Sequence, residues 1–464
     1  MDATNWAHDE FWRAALPDLR LRRRLVEVAA CIRENPCGTL PRAVRGRAAL
    51  KGAYRLLSHP GVTHDEVLRP HWERTRAACG CPGGYLLIED TTALSFSQRG
   101  PITGMGPLTH DFSQGLSVHT CLAARIEGFD ESFDARVLLE GVFGQECWAR
   151  DTPQGTRKER KKAKRKNAMG PKAPRESDRW ARALRQTQGP PQGAQWTYVA
   201  DRESDIFEVL AQCETLGADW VIRASQPRVT ASEENVFEAA ANAPVLGAYT
   251  IALRARPRHA ARRARVDVRS CSTSLCAPRR GKARVQTTLV EVREIDAGAD
   301  VAEPLHWLLL TSWPCETFEQ ARRVIGVYRC RWLIEEYHKA LKTGTHIEES
   351  QLTTAHGIET LLAIHSVIAT ELLQLKLLAR TRPDDAITDE HVTPSILAVL
   401  ETQHQKPAPG WNNATFLSAI AQMGGYLARK RDGPPGWLSI WRGWLRLSVM
   451  AEGYALAIEQ NNSG

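Results

Sequence analysis

Through the first 70 or so residues, apolar positions recur at helical spacing. In "RLRRRLVEVAACIREN" they alternate with Arg20, Arg22, Arg23 and Arg24, which predicts amphipathic helices. The texture then changes. "GGYLLIEDTTALSF" holds a short apolar run, Tyr85 to Ile88, closed by Glu89 and Asp90, and predicts a buried strand with carboxylates at its end. "LSVHTCLAARI" and "ARVLLEGVFGQECW" predict two further strands in a meander, "ESDRWARALRQ" a helix, and "WTYVADRESDIFEVLAQC" a strand, an acid at Asp201 and a helix. "DWVIRAS" is another strand, ending at Arg223. From about 225 to 305 polar and apolar residues alternate between basic turns, the pattern of an all-β region; the strand "LHWLLLTS" follows, then a helical tail.

The stretch "YRCRWLIEEYHKALKTGTHIEESQL" opens that tail and reads as one helix. At about 100° per residue, Tyr328, Arg331, Glu335, Lys339 and Lys342 share an arc of about 80°. Leu333, Ile334, Tyr337, Ala340 and Leu341 lie opposite. Such a face is either a solvated stripe of ion pairs, Glu335 with Lys339 for example, or a ridge that binds an anion. Its cations outnumber its one acid, and the rings of Tyr328 and Trp332 lie on or beside it, which favours the second.

Composition bounds the picture. The chain has 464 residues, 43% hydrophobic and 25% charged, enough for several domains with real cores. Its 61 basic residues outnumber 53 acidic ones, a net charge of +8, a weak pointer to a polyanionic partner. The start, "MDATNWAHDEFW", lacks the apolar segment of a signal peptide, and no stretch approaches 18 uncharged apolar residues, so no membrane partner is expected. The scattered cysteines suggest reduced thiols in a cytoplasm. Cys79-x-Cys81 and Cys271-x4-Cys276 lack the second ligand pair of a zinc site.

Two acids that end apolar strands, Asp90 and Asp201, and a third on the charged helix, Glu335, make an oxygen-only set suited to Mg2+ or Mn2+. Two such ions can clamp the attacking and leaving oxygens of a phosphoryl displacement. Arg331, Lys339 and Lys342 would hold flanking phosphates and Tyr328 would add a hydroxyl.

The spacing Tyr-x2-Arg-x3-Glu-x6-Lys, at Tyr328, Arg331, Glu335 and Lys342, resembles the signature of the DDE cut-and-paste transposases of the insertion-sequence-four family. "RRLVEVAA", "GAYRLL", "IEDTTALS", "ADRESDI", "LHWLLLTS", "RWLIEEYHKALKTG", "GGYLARKR" and "IWRGWLRL" resemble the family in order and approximate spacing along nearly the whole chain. The resemblance implies an α/β fold: a ribonuclease-H-like core, a mixed sheet with flanking helices, carrying a β-rich insertion at about 225–305. That core would span 69–375, between a helical DNA-binding domain at 1–68 and a helical dimerisation domain at 376–464. It implies that Asp90, Asp201 and Glu335 bind two Mg2+ ions per site, Mn2+ substituting. It implies that Trp307 stacks on a flipped base and that Arg223, Tyr328, Arg331 and Lys342 grip the transposon end. Lys339 and Trp332 would make further end contacts, and Arg55 a contact from the N-terminal domain. The implied partners are double-stranded DNA, as inverted-repeat ends and target, and a second copy of the chain; the implied place is the cytoplasm, at the bacterial nucleoid. The implied reaction is nicking, hairpin formation, hairpin opening and strand transfer. An end-binding regulator without catalysis, or a structure-directed nuclease without strand transfer, are the alternatives.

Several features stay open at this level. The basic run within 157–166 is either a solvated loop or a contact to the DNA backbone, and the Arg-rich segment 254–265 is either solvated or a contact to DNA or a partner subunit. His119 either steadies the metal site or packs. Trp437, Trp441 and Trp444 form one stripe, in the core or at a dimer seam.

Overall fold

Strand β1 (Gly83–Ser95) is the spine of the molecule. In the computed structural model, which describes residues 3–36, 39–96, 100–108, 113–150, 179–180, 185, 187–253, 261–278, 283–298, 301, 303–387, 392, 394–405, 407, 410–429 and 432–462, this strand is buried on both faces. Leu86 and Ile88 enter one hydrophobic cluster, Tyr85 and Leu87 another, as the two-residue period of a strand requires. The first cluster is shared with the helices of the chain's two ends; the second lies under α6 (Phe207–Leu216).

β1 pairs antiparallel with β3 (Gln114–Phe129), which pairs antiparallel with β4 (Ala135–Trp148), the expected meander. On its other side β1 pairs parallel with β5 (Ala194–Ala200), and β5 parallel with β6 (Asp219–Arg223). An antiparallel meander continued by two parallel strands is the ribonuclease-H-like arrangement. The sheet does not stop there. β10 (His306–Thr311), β9 (Arg284–Glu294), β8 (Arg262–Cys276) and β7 (Val245–Leu253) extend it antiparallel from β6. With the short β2 (Gly106–Pro107) it has ten strands among the described residues. The β-rich segment is thus an extension of the core sheet, and it includes a helix, α7 (Val236–Asn242), that alternation had not announced.

Five N-terminal helices, α1 (Ala3–Phe11), α2 (Leu19–Glu34), α3 (Leu40–Ala43), α4 (Arg47–Leu57) and α5 (His64–Ala78), precede the sheet. α5 runs unbroken across the expected boundary at 68 and packs on β4. The C-terminal half holds α8 (Phe318–Arg329), α9 (Trp332–Lys339), α10 (Ala355–Thr381), α11 (Pro394–Gln403), α12 (Asn413–Met423) and α13 (Trp437–Asn462). α10 likewise crosses the expected boundary at 375. By length and composition it is apolar enough to cross a membrane, yet 83% of its most apolar window is buried inside the protein, so it reads as a core helix. The ten described cysteines are free thiols. The basic run within 157–166, most of the helix expected from "ESDRWARALRQ", and residues 254–260 of the Arg-rich segment lie outside the described residues.

The single helix expected from Tyr328 onward is two helices and a π turn. α8 ends at Arg329, and around Cys330 and Arg331 the backbone bonds run between residues three apart: Arg331 N to Tyr328 O at 3.0 Å, Ile334 N to Arg331 O at 3.2 Å. α9 then passes into a π turn at Ala340–Gly344. The apolar side was read correctly, since Leu333, Ile334, Tyr337, Ala340 and Leu341 are all buried. The charged side was not one stripe, because both joints break the 100° step.

Candidate active site

Strand parity places the acids. Even-numbered β1 residues and odd-numbered β5 and β6 residues face the cluster shared with the end-domain helices: Ile88, Val199 and Val221 all belong to it. Asp90 and Asp201 continue those two series, and Arg223 continues the third. The register Glu89↔Ala200 and Ala200↔Ile222 sets Asp90, Asp201 and Arg223 in a row, at the carboxyl ends of β5 and β6 and beside the point where β1 parts from β5. Asp90 is mid-strand, since β1 runs on to Ser95, and not at a strand end as expected. Loops and helix ends gather at such an edge, which is where sites form in α/β sheets.

The helical joint supplies the rest. Arg331, first residue after the break, reaches back to the row. Its Nη1 lies 3.8 Å from Asp90 Oδ2 and 4.0 Å from Asp201 Oδ2, and its Nη2 donates to Glu335 Oε1. One guanidinium therefore touches all three predicted acids. Its side chain is 15% exposed, against 24% for Asp90, 30% for Asp201 and 48% for Glu335, so the cluster opens to solvent on the Glu335 side. Tyr328 hydroxyl donates to Asp201 Oδ1 at 3.4 Å, and Arg223 Nη2 donates to His306 O at 3.0 Å beside it.

Electrostatics follow from this packing. Burial pushes the Asp90 carboxyl up to about 6, against the Thr91 N–H and Arg331, which favour its charge. Burial likewise pushes the Tyr328 hydroxyl up to about 12. For Arg331, burial pulls the pKa down, but Tyr328, Asp201 and Glu335 outweigh it and hold the guanidinium above its ordinary value. Burial lowers the Lys342 ammonium, opposed by Glu348.

Not every expected residue joins the cluster. Lys339 is turned to Glu336, at 3.0 Å. Trp332 packs under Arg380, whose guanidinium carbon lies 5.1 Å from its ring. Trp307 faces the same side of the sheet as the acids but is 9% exposed, edge-to-face on Tyr328 at 5.3 Å, so as placed it has no free face for a base. Arg55 is exposed on α4, part of a row with Arg47 and Lys51 at i, i+4 and i+8 that sequence reading did not single out. The tryptophan stripe is buried: Trp437, Trp441 and Trp444 are 8%, 2% and 8% exposed, and Trp437 Nε1 donates to Glu336 Oε2.

A buried network beneath Asp90 was also missed. Glu89, on the opposite face of β1, accepts from Tyr198 hydroxyl at 2.6 Å and pairs with His119 Nε2 at 3.0 Å. His119 Nδ1 meets Thr91 Oγ1 at 2.9 Å, and Thr91 N donates to Asp90 Oδ1 at 2.8 Å. His119 thus has no direct contact with Asp90, Asp201 or Glu335; it steadies the stretch of β1 that carries Asp90. The signal was present in the adjacent pair Glu89-Asp90, since neighbours on a strand point to opposite faces and one of them must be buried.

A metal test can be put to this geometry. The donor set is all carboxylate oxygen, it already encloses a cation, and Asp90 is held in a partly desolvated place that a cation would relieve. Those features fit a hard divalent ion. Among the described residues, however, no three such side chains stand close enough to ligate one ion as placed; the acids are spaced around a guanidinium.

Two family models match the chain. Residues 3–62 match the model of the family described as transposase DNA-binding. Residues 176–371 match the transposase DDE domain, a span that includes Asp201 and Glu335 and begins after Asp90. Among solved structures, the cryo-EM structure of a piggyBac transposase synaptic complex with hairpin DNA is similar over 78% of this chain and 72% of that one, at 11% identity and a TM-score of 0.36, too distant a likeness to add weight. One chain thus carries a match to a transposase DNA-binding domain followed by a match to a transposase DDE domain.

Proposed function

We propose that the protein is a cut-and-paste DNA transposase of the insertion-sequence-four family, near its Tn-five member, whose single site of Asp90, Asp201 and Glu335 cuts transposon ends and joins them to target DNA. The observation that carries this reading is the convergence of three acids, distant along the chain, on one guanidinium at the carboxyl edge of a ribonuclease-H-like sheet.

Divalent ions, Mg2+ or Mn2+, held by the three carboxylates would supply Lewis acidity to the phosphate oxygens and acidify a water. The remaining work belongs to the chain. Asp90 and Asp201, fixed on adjacent strands, set the separation of the two oxygens that attack and leave. Glu335 closes the set from the helix side, where its exposure leaves room for DNA. Arg223, Tyr328, Arg331 and Lys342 would orient the phosphates beside the scissile bond, Arg331 through a planar fork suited to phosphate. Each step is an in-line attack on phosphorus: water on the first strand, the freed 3′-hydroxyl on the opposite strand to close a hairpin, water on that hairpin, and the 3′-hydroxyl on target DNA. In each, one P–O bond forms, one breaks, and the leaving 3′-oxygen takes a proton. Trp307 serves as a base platform if end binding swings it away from Tyr328; stacking of that kind is worth roughly 1–3 kcal/mol. Arg55 would anchor the N-terminal helices on the end, and a second copy of the chain would complete the paired-end complex.

The test uses the DNA flanking the protein's own reading frame, with Mg2+ or Mn2+. The parent is expected to cut inverted repeats there and to join the cut ends to a target plasmid. Glu335→Ala should bind the same ends and leave them intact. Cutting by Glu335→Ala at the parent rate would overturn the reading, and cutting without joining would reduce it to a nuclease.

A further inference from the structure

Arg331 poses a problem for any reading in which the acids bind divalent ions, because it is already where the ions would go. It lies within 4.0 Å of Asp90 and Asp201 and donates to Glu335. It comes from the joint between α8 and α9, where the backbone changes hydrogen-bond pattern, and its own side chain makes no cap to the helix it precedes. The acids need a cation: three partly buried carboxylates facing one another repel strongly unless something positive sits among them. Two divalent ions and the guanidinium together would leave the cluster with excess positive charge. Arg331 and the ions therefore compete for the same oxygens unless an anion arrives to take the guanidinium away.

We propose that Arg331 is a built-in counter-ion that keeps the acid cluster assembled in the DNA-free protein and is handed to a DNA phosphate when DNA binds, so that divalent ions load fully only after DNA. This rests on the proposed metal-binding role of the three acids and adds an order to it. The guanidinium suits both states, since its fork pairs equally well with carboxylate and with phosphate, whereas an ammonium would span the three acids poorly. Its low exposure, 15%, means that release needs a change of rotamer or a shift of the joint, and a segment already departing from regular helix is the place for either. The consequence is protective. A free chain with loaded ions would be a nuclease waiting for any strand; a chain whose acids are occupied by its own arginine is not. Arg331 is on this account a positioning residue, with one set of partners before DNA and another after.

The full chain, its Arg331→Gln and Arg331→Lys variants, and an Asp90→Ala/Asp201→Ala control are titrated with Mn2+, following the free-ion electron paramagnetic resonance signal. The titration is repeated with saturating mixed-sequence duplex DNA in low salt. Without DNA, Arg331→Gln is expected to bind Mn2+ about tenfold more tightly than the parent, and Arg331→Lys to fall between. DNA should tighten Mn2+ binding by the parent by a similar factor and hardly change it for Arg331→Gln. The Mn2+ dependence of melting supplies a readout that a merely structural role would not move: Arg331→Gln should melt below the parent in chelator, and Mn2+ alone should restore it, whereas a structural defect would persist with Mn2+. Equal or weaker Mn2+ binding by Arg331→Gln without DNA, with binding lost in the aspartate control, would overturn the counter-ion and leave the metal site standing. Mn2+ binding that persists in the aspartate control would overturn both.

Discussion

At the residue scale, Asp90 shows what the site costs. Its carboxyl sits at about 6 in the folded chain, above the ordinary 3.8, so the folded protein holds that proton more tightly than the unfolded chain. The stability this group contributes is present below the ordinary value and is lost as pH rises through about 6. Asp90→Asn is therefore expected to melt higher than the parent at neutral pH in chelator, by the equivalent of about 1–3 kcal/mol, with the gain fading toward pH 4. The same variant should be inactive, since an amide is a poor ligand for a hard cation. A variant that melts lower than the parent at neutral pH would show that Arg331 stabilises the charge more than burial penalises it. Asp90 and Asp201 were legible in the sequence because each follows an apolar run and falls on the side its strand's parity dictates. Their common counter-ion was not, because Arg331 owes its position to a helix break. Nor was the Glu89–His119 pair, whose partners become neighbours only through the β1–β3 register.

At the element scale, α9 is held by what it buries. Tyr337 accepts from Gln145 Nε2 at 3.2 Å, and Gln145 also meets Ser366 and His64, tying α9 to β4, α10 and α5. Glu336, adjacent to the predicted ligand Glu335, pairs with Lys376 at 2.6 Å and Lys339 at 3.0 Å and accepts from Trp437. The tryptophan stripe of α13 therefore docks on the helix that carries the third acid. Removing Glu336 leaves the half-buried Lys376 and the Trp437 N–H without this acceptor, so Glu336→Ala should cost about 1–3 kcal/mol in a denaturant titration. It should also shift tryptophan emission as Trp437 loses its acceptor. Unchanged stability would mean that the C-terminal helix does not brace α9. Gly326 makes a second test of this packing: a Cβ there would stand 2.0 Å from Phe133 O, so Gly326→Ala should force α8 off the β3–β4 turn at a cost of about 1–3 kcal/mol or more. A melting temperature equal to the parent's would contradict that close approach. The apolar faces of these helices were readable from their period. The joint at Arg331 and the π turn at Lys342 were not, since neither contains the Pro that would announce a break.

At the scale of the whole molecule, helices, core sheet, β-rich extension and helical tail follow in the order that the sequence texture predicts, because each keeps one period over a long span. The extension's attachment to β6 needed the strand register and lay outside the reach of pattern. The exposed row Arg47, Lys51 and Arg55 stands on α4, an element that carries none of the three acids, and so has a separable role. Neutralising all three cations should weaken DNA binding and flatten its salt dependence by roughly one unit of slope for each phosphate they no longer neutralise, leaving Mn2+ binding unchanged. A parent-like slope would remove that face from the interface.

The most direct test of the central claim is a strand-cleavage assay with Asp90→Ala, Asp201→Ala and Glu335→Ala, each made singly and assayed with Mg2+ and with Mn2+ on DNA that the parent cuts. If the three carboxylates form one catalytic centre, each variant should lose at least about a thousandfold in cleavage rate while binding that DNA as the parent does. A variant that keeps parent-like cleavage at any one of the three positions would contradict it.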